Sequence, residues 1–170
     1  HSRILPSSRR DVDVKLYHGT NRDFEKIDLQ KSKPNKDFGR GFYLSADYEQ
    51  ALSMAQVKVE QLDFGTPIVQ VYIMDDSAWE KLHVLRFEDY SEEWAKFILR
   101  NRNNSTNVPT HEYDVVIGPI ANDRVGVQLW RYENHSIDLP TLVHNLQYMK
   151  GITIQYFFGT ERAIKLLRRI

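Results

Sequence analysis

The irregular order in which strand-like and helix-like patterns follow one another constrains the fold of this chain most. Short apolar runs that read as strands occur at Val14–Tyr17, Phe42–Leu44, Ile68–Ile73, Tyr113–Ile117 and Ile152–Phe158, with a shorter one around His83–Arg86. Helical spacing follows only some of them. Ser45 and Asp47 offer capping oxygens for a helix over roughly 47–61, where Ala51, Leu52, Met54, Ala55 and Val59 recur at helical intervals. Ser91-Glu92-Glu93 starts a second helix with Trp94, Phe97 and Ile98 on one face, ending before the polar loop 101–110. Residues 119–134 read as irregular or helical, and 138–149 as helical. Thr160 caps a last helix of about ten residues that reaches Ile170. Strands and helices mixed without a steady βαβ alternation predict an α+β fold, not a doubly wound parallel sheet. No Gly-x-Gly-x-x-Gly follows the first strand, so a Rossmann site is not expected.

With 170 residues, the chain reads as a loose arm over 1–13 followed by one domain over 14–170. Lys+Arg and Asp+Glu both number 23. A protein of duplex nucleic acid usually carries a positive excess, because phosphate neutralisation supplies most of its affinity. The basic clusters Arg3, Arg9, Arg10 and Lys165, Arg168, Arg169 are terminal and read as solvated ends. Cysteine is absent, which excludes disulfides, thiolate chemistry and cysteine-based zinc sites, and fits a reducing compartment. No apolar run is long enough to cross a bilayer, so no membrane is expected as a partner. The histidines form no HxxxH or HExxH pair, so no metal is expected. No Gly-x-Ser-x-Gly or Walker loop occurs.

Chemistry concentrates in three segments: Leu16-Tyr17-His18-Gly19-Thr20, Asp37 to Ser45, and Thr153 to Phe158. Each brings a polar residue to the end or start of a strand. Strand alternation sets Phe42 and Leu44 on one face, with Tyr43 and Ser45 on the other. From the residues alone, His18 is either a ligand-binding or a buried, satisfied histidine. Tyr43 is either a stacking platform or core packing. Ser45 either bonds a ligand or caps the helix, and Arg40 and Lys36 either meet an anion or are solvated loop charges. Asp37 and Asp123 read as turn and loop stabilisers.

In order and spacing these strings resemble the signature of ADP-ribosyltransferases of the diphtheria-toxin and poly(ADP-ribose) polymerase branch. They are most similar to a small bacterial ADP-ribosyltransferase-like family, through Leu16–Thr20, Asp37–Ser45, Tyr113–Asp123 and Gln155–Phe158. The resemblance covers about residues 14–170. It implies a split β-sandwich with flanking helices around an NAD cleft, with NAD consumed as substrate. It assigns cofactor binding to His18, Gly19, Thr20, Arg40, Tyr43 and Ser45, with His18, Tyr43 and Gln155 as the catalytic set. In that set His18 bonds a ribose hydroxyl, Gly19 pairs with the nicotinamide amide, Tyr43 stacks on its ring, and Arg40 with Lys36 faces the pyrophosphate.

Gln155 stands where the family's fuller motif has glutamate. It can donate and accept hydrogen bonds but carries no charge and cannot act as a base. Phe157 replaces the second carboxylate of arginine-modifying toxins, so a base from Glu112 or Asp114 is an alternative. Met54 stands where relatives often have Trp, a packing change. The implied activity is transfer of a single ADP-ribose to a macromolecular acceptor, a protein ahead of a nucleic acid, with nicotinamide release. The implied setting is a bacterial toxin, effector or defence component, acting in the cytoplasm or in a target cell's cytosol, with an antitoxin or immunity protein as partner. The alternatives are an NAD- or ADP-ribose-binding module without transfer, and a transferase acting on RNA or DNA.

Overall fold

The structure, a computed structural model, describes residues 14–149 and 151–170. The expected arm over 1–13, with Arg3, Arg9 and Arg10, lies outside the described residues. The chain runs β1 (Val14–Thr20), β2 (Phe42–Ser45), α1 (Tyr48–Leu62), β3 (Ile68–Met74), β4 (Val84–Arg86), α2 (Glu92–Arg102), β5 (Val115–Pro119), α3 (Asp123–Glu133), α4 (Leu139–Gln147), β6 (Ile154–Phe158), α5 (Glu161–Ile164) and β7 (Arg168–Arg169). The seven strands form one sheet in the order β4-β5-β6-β2-β1-β3-β7. Only β4 and β5 pair in parallel; all other neighbours are antiparallel. The α+β class expected from the sequence is the one observed. Among the described residues, no helix is long and apolar enough to cross a membrane.

Helix starts follow the capping chemistry of the sequence. Asp47 accepts from Glu49 N, Ser91 from Trp94 N, Asn122 from Val125 N, Asp138 from Thr141 N and Thr160 from Ala163 N. The last helix is the main correction: it ends at Ile164, not Ile170. Ile164, Leu166 and Leu167 turn inward onto the core, and Arg168 and Arg169 then pair with Ile73 and Tyr72 on the edge of β3. Arg168 also binds Asp75 (3.0 Å) and Arg169 binds Asp23 (2.6 Å), which fixes the chain in this extended course. Strand β1 continues beyond the expected Tyr17 through His18-Gly19-Thr20, and β5 beyond the expected Ile117 through Gly118-Pro119. Pro119 costs no ladder bond to β4, because that strand's register ends at Arg86 opposite Ile117.

Each face of the sheet carries its own core, as strand alternation requires. One holds Leu16, Phe42, Leu44, Met74, Tyr156 and Phe158 beneath Trp79 and the C-terminal segment. The other holds Phe157 and Val116 beneath Trp94, Ile98, Leu129 and Leu146 from α2, α3 and α4. Helix α1 also lies on this second face, over β1. A Cβ at Gly19 would stand 2.0 Å from the Ala51 carbonyl oxygen, so the glycine permits α1 to approach, with Ala51 and Ala55 buried against it. Tyr43 points to the second face but does not look onto an open cleft there, because its ring packs on Phe38 and Phe157.

Candidate functional site

Strands β1 and β3 pair along the full length of β1, whereas β1 and β2 pair only at Tyr17 opposite Ser45. Beyond that point β1 and β2 separate, and side chains occupy the slot between them. His18 reaches across it: Nδ1 lies 2.8 Å from the Tyr43 main-chain oxygen. A carbonyl only accepts, so Nδ1 carries the proton and donates. Burial, followed by the positive charge of Lys58, lowers the His18 pKa to about 3 against the opposing effect of that bond. The imidazole is therefore neutral at ordinary pH, which leaves Nε2 as a bare acceptor. Phe42 stacks on the ring at 4.2 Å and Phe24 meets it edge-on at 5.8 Å, fixing its plane.

Two lysines complete the slot. Lys58, on α1, donates from Nζ to the Gly19 carbonyl at 2.7 Å. Burial and the nearby Lys36 charge lower its pKa to about 8. The Lys36 ammonium sits 5.5 Å above the centre of the Tyr43 ring. The Tyr43 hydroxyl donates to Gly39 O at 2.6 Å and accepts from Phe38 N at 3.0 Å, and burial holds its pKa well above the usual phenol value. It is thus a fixed, neutral ring, tied to the Asp37–Gly41 loop. Among the described residues, no carboxylate lies within ion-pairing distance of Lys36 or Lys58.

The remaining predicted residues divide clearly. Gln155 faces Ser45 on β2 and Gly118 on β5, half-buried on the same face as Tyr43. Its amide makes no hydrogen bond with any described residue. His18 lies across β2 from it, on a residue of opposite parity, so the two side chains do not converge on one point. Ser45 Oγ accepts from Asp47 N at 2.9 Å, the helix-start role. Thr20 Oγ1 donates to Arg22 O and accepts from Arg22 N, closing the turn after β1. Arg40 is turned away from the slot: its guanidinium binds Gln30 and Asn107 on the wall of another cavity. Asp37 is a loop stabiliser as expected, bound by Arg102 (2.7 Å) and Ala121 N (3.2 Å).

Asp114 is excluded as a proton acceptor by its own partners. It accepts from His83 N, Thr160 Oγ1 and Arg162 Nη2 at 2.8, 2.7 and 2.6 Å. Burial raises its pKa, but these bonds together outweigh it and hold the carboxyl below the usual value. Glu112 is exposed, at the rim of the Arg40 cavity. A groove of about 730 Å3 where α3 turns into α4, lined by Tyr132, Ile137 and Asp138 among others, holds none of the predicted residues. Among the described residues no cluster of His, Asp and Glu is arranged to hold a metal ion. Lys58 was missed by reading the sequence, although Ala51, Ala55 and Lys58 share one helical face, the face that meets Gly19.

A family model described as Protein of unknown function (DUF3990) matches residues 14–168. The chain belongs to the DUF3990 family. Comparison with curated proteins and with solved structures gives no match. In this DUF3990 domain the slot is the candidate site. It offers a hydrogen-bond acceptor at His18 Nε2, a main-chain carbonyl that draws an N–H donor, an aromatic face that draws a cation, and two cations without counter-charge among the described residues. Such a set suits a ligand that combines a flat cationic ring and an amide with an anionic part.

Proposed function

We propose that this DUF3990 domain is an NAD-dependent mono-ADP-ribosyltransferase, with the single-pair junction of β1 and β2 as the split of an ADP-ribosyltransferase-like β-sandwich. One observation carries the reading. The slot already holds a cation over the Tyr43 ring and an N–H donor on the Gly19 carbonyl, supplied by Lys36 and Lys58. The nicotinamide end of NAD carries both features in one group, a positively charged flat ring and a carboxamide. When it binds, it replaces the two ammonium groups, and these turn to the negatively charged diphosphate. Arg40 takes no part in this account, and Thr20 and Ser45 shape the strand ends.

In the reaction, the bond between the ribose C1′ and the nicotinamide nitrogen breaks. Its electron pair returns to the ring, whose positive charge is thereby cancelled. His18 Nε2 accepts a hydrogen bond from a ribose hydroxyl while C1′ carries positive charge, and Gln155, on the other face of the sheet, does not share that contact. An acceptor lone pair then forms the new bond to C1′, and its proton leaves to solvent. Since Gln155 takes no proton, the acceptor is a group that needs little activation, on a protein, and the domain itself acts as a bacterial toxin, effector or defence component.

The neutral Gln155 favours one rival, an NAD-binding module that performs no transfer. Incubating the purified chain with NAD labelled in the adenosine part, with and without cell lysate, separates these readings. Transfer predicts label on a lysate macromolecule, lost on protease treatment and retained on nuclease treatment. Label lost only with nuclease would assign the acceptor to RNA or DNA. Saturable NAD binding without label or nicotinamide release would assign the domain to binding alone.

A further inference from the structure

A cavity of about 570 Å3 is walled in part by Gly39 and Arg40 of the Asp37–Gly41 loop. Its volume is in the range of small-molecule sites. Arg40, Asn107, Thr110, His111 and Tyr113 line it, with Glu112 at the rim. Arg40 is the unusual member. Its Nη1 donates to Gln30 Oε1 at 3.0 Å and its Nη2 to Asn107 Oδ1 at 3.2 Å, both neutral amides. Its Nε is sealed from solvent and has no acceptor among the described residues. No carboxylate among the described residues pairs with it. A guanidinium keeps its charge at any ordinary pH, and a buried donor without an acceptor is costly. An anion whose oxygens accept from the Nη1 and Nη2 end of the guanidinium answers the unpaired charge; the sealed Nε stays out of its reach.

The rest of the wall is built to hold a ring. His111 donates from Nε2 to Phe38 O at 2.8 Å, and its Nδ1 accepts from Tyr113 N at 3.1 Å. Both ring nitrogens are used, so the imidazole is fixed beside the Tyr113 ring, 5.6 Å away. Gly39 takes a positive φ of 100° on this wall, and a Cβ there would press on Asn101 and His111 at 3.3 and 3.6 Å. The loop can thus present backbone to both the cavity and Tyr43.

We infer that this cavity is a second binding site, for a phosphorylated ring compound of mononucleotide size, anchored by Arg40 and distinct from the β1/β2 slot. It does not depend on the transferase reading, since no residue of the slot takes part.

Calorimetric titration of the full chain with AMP, adenosine and inorganic phosphate tests it. AMP binds saturably and adenosine at least about tenfold more weakly, as expected when a charged hydrogen-bonded anchor is lost. Arg40→Gln weakens AMP by about tenfold or more, while Lys58→Gln leaves it unchanged. Glu112→Gln, at an exposed position that tolerates substitution, tightens AMP severalfold by removing the rim carboxylate. This variant keeps the test open should Arg40→Gln fail to fold. Absence of saturable AMP binding overturns the inference, as does equal AMP affinity in Glu112→Gln and wild type. Loss of AMP binding in Lys58→Gln but not in Arg40→Gln would move the ligand to the slot and overturn it as well.

Discussion

The slot between β1 and β2 and the strut around Asp114 both bring buried polar groups to the ends of strands, and they treat them in opposite ways. At Asp114 the charge is met from three sides, by His83 N, Thr160 and Arg162, and at the far end of β5 Trp94 Nε1 donates to Pro119 O at 2.9 Å. Asp37 is enclosed likewise by Arg102 and Ala121 N. Polar groups there are consumed in holding α2, β5 and the C-terminal segment together. In the slot the pattern is reversed. His18 keeps an acceptor unused, two ammonium groups approach each other, and no described carboxylate neutralises them. Burying uncompensated charge lowers stability unless a ligand answers it. The strut reads as architecture and the slot as a binding surface.

That contrast predicts different responses to substitution. The largest effect is expected at the strut: Asp114→Ala lowers stability by about 3 kcal/mol, since it orphans a main-chain N–H and the half-buried Thr160 hydroxyl along with the Arg162 partner. Urea denaturation measures it, and a loss below about 1 kcal/mol would show that the strut is not the support described. Next comes Gly19→Ala, at about 2 kcal/mol, because the added methyl meets the main chain of α1 and not a flexible side chain. A variant as stable as wild type would mean that α1 does not rest on Gly19.

A third effect depends on pH. The folded His18 pKa of about 3 lies below the ordinary 6.5, so between those values the unfolded chain binds a proton that the folded chain does not. Stability from this group is present above pH 6.5 and declines as pH falls, by about 1 kcal/mol per pH unit in the window. Asp114, whose pKa is also lowered, loses its contribution only below the usual carboxyl value near 3.8. Melting scans of wild type and His18→Gln above pH 4.5 therefore isolate His18, and equal slopes would contradict its buried, neutral state. The smallest effect is the most telling for the contrast. Lys58→Met removes a half-buried ammonium without a counter-charge, and is expected to raise stability by up to about 1 kcal/mol. A loss comparable with Asp114→Ala would erase the distinction between slot and strut.

Local signals made most of the framework legible. Ser91, Asp47 and Thr160 announce helix starts through their side-chain oxygens, and the alternation across Phe42, Tyr43 and Leu44 separates the two cores as expected. The C-terminal strand was not legible, because its pairing with β3 and its ion pairs to Asp75 and Asp23 join residues far apart in sequence. The slot was half legible. His18 and Tyr43 stood out by their motifs, but the bond joining them uses the Tyr43 main chain, which no side-chain pattern encodes. Gly19 was assigned to the nicotinamide amide; the group that its missing side chain admits is α1, a long-range partner. Arg40 was assigned to the cofactor with Tyr43, its neighbour in sequence, whereas its guanidinium binds Gln30 and Asn107 on a separate cavity wall.

The central claim is that the slot is an NAD site, and nicotinamide release from NAD by wild type and His18→Ala, with melting temperatures measured in parallel, tests it most directly. Release by wild type that falls about a hundredfold in an equally folded variant is the predicted result, as expected when a group that orients the substrate is lost. Unchanged release in the variant, or a wild-type chain that neither binds nor cleaves NAD, would contradict it.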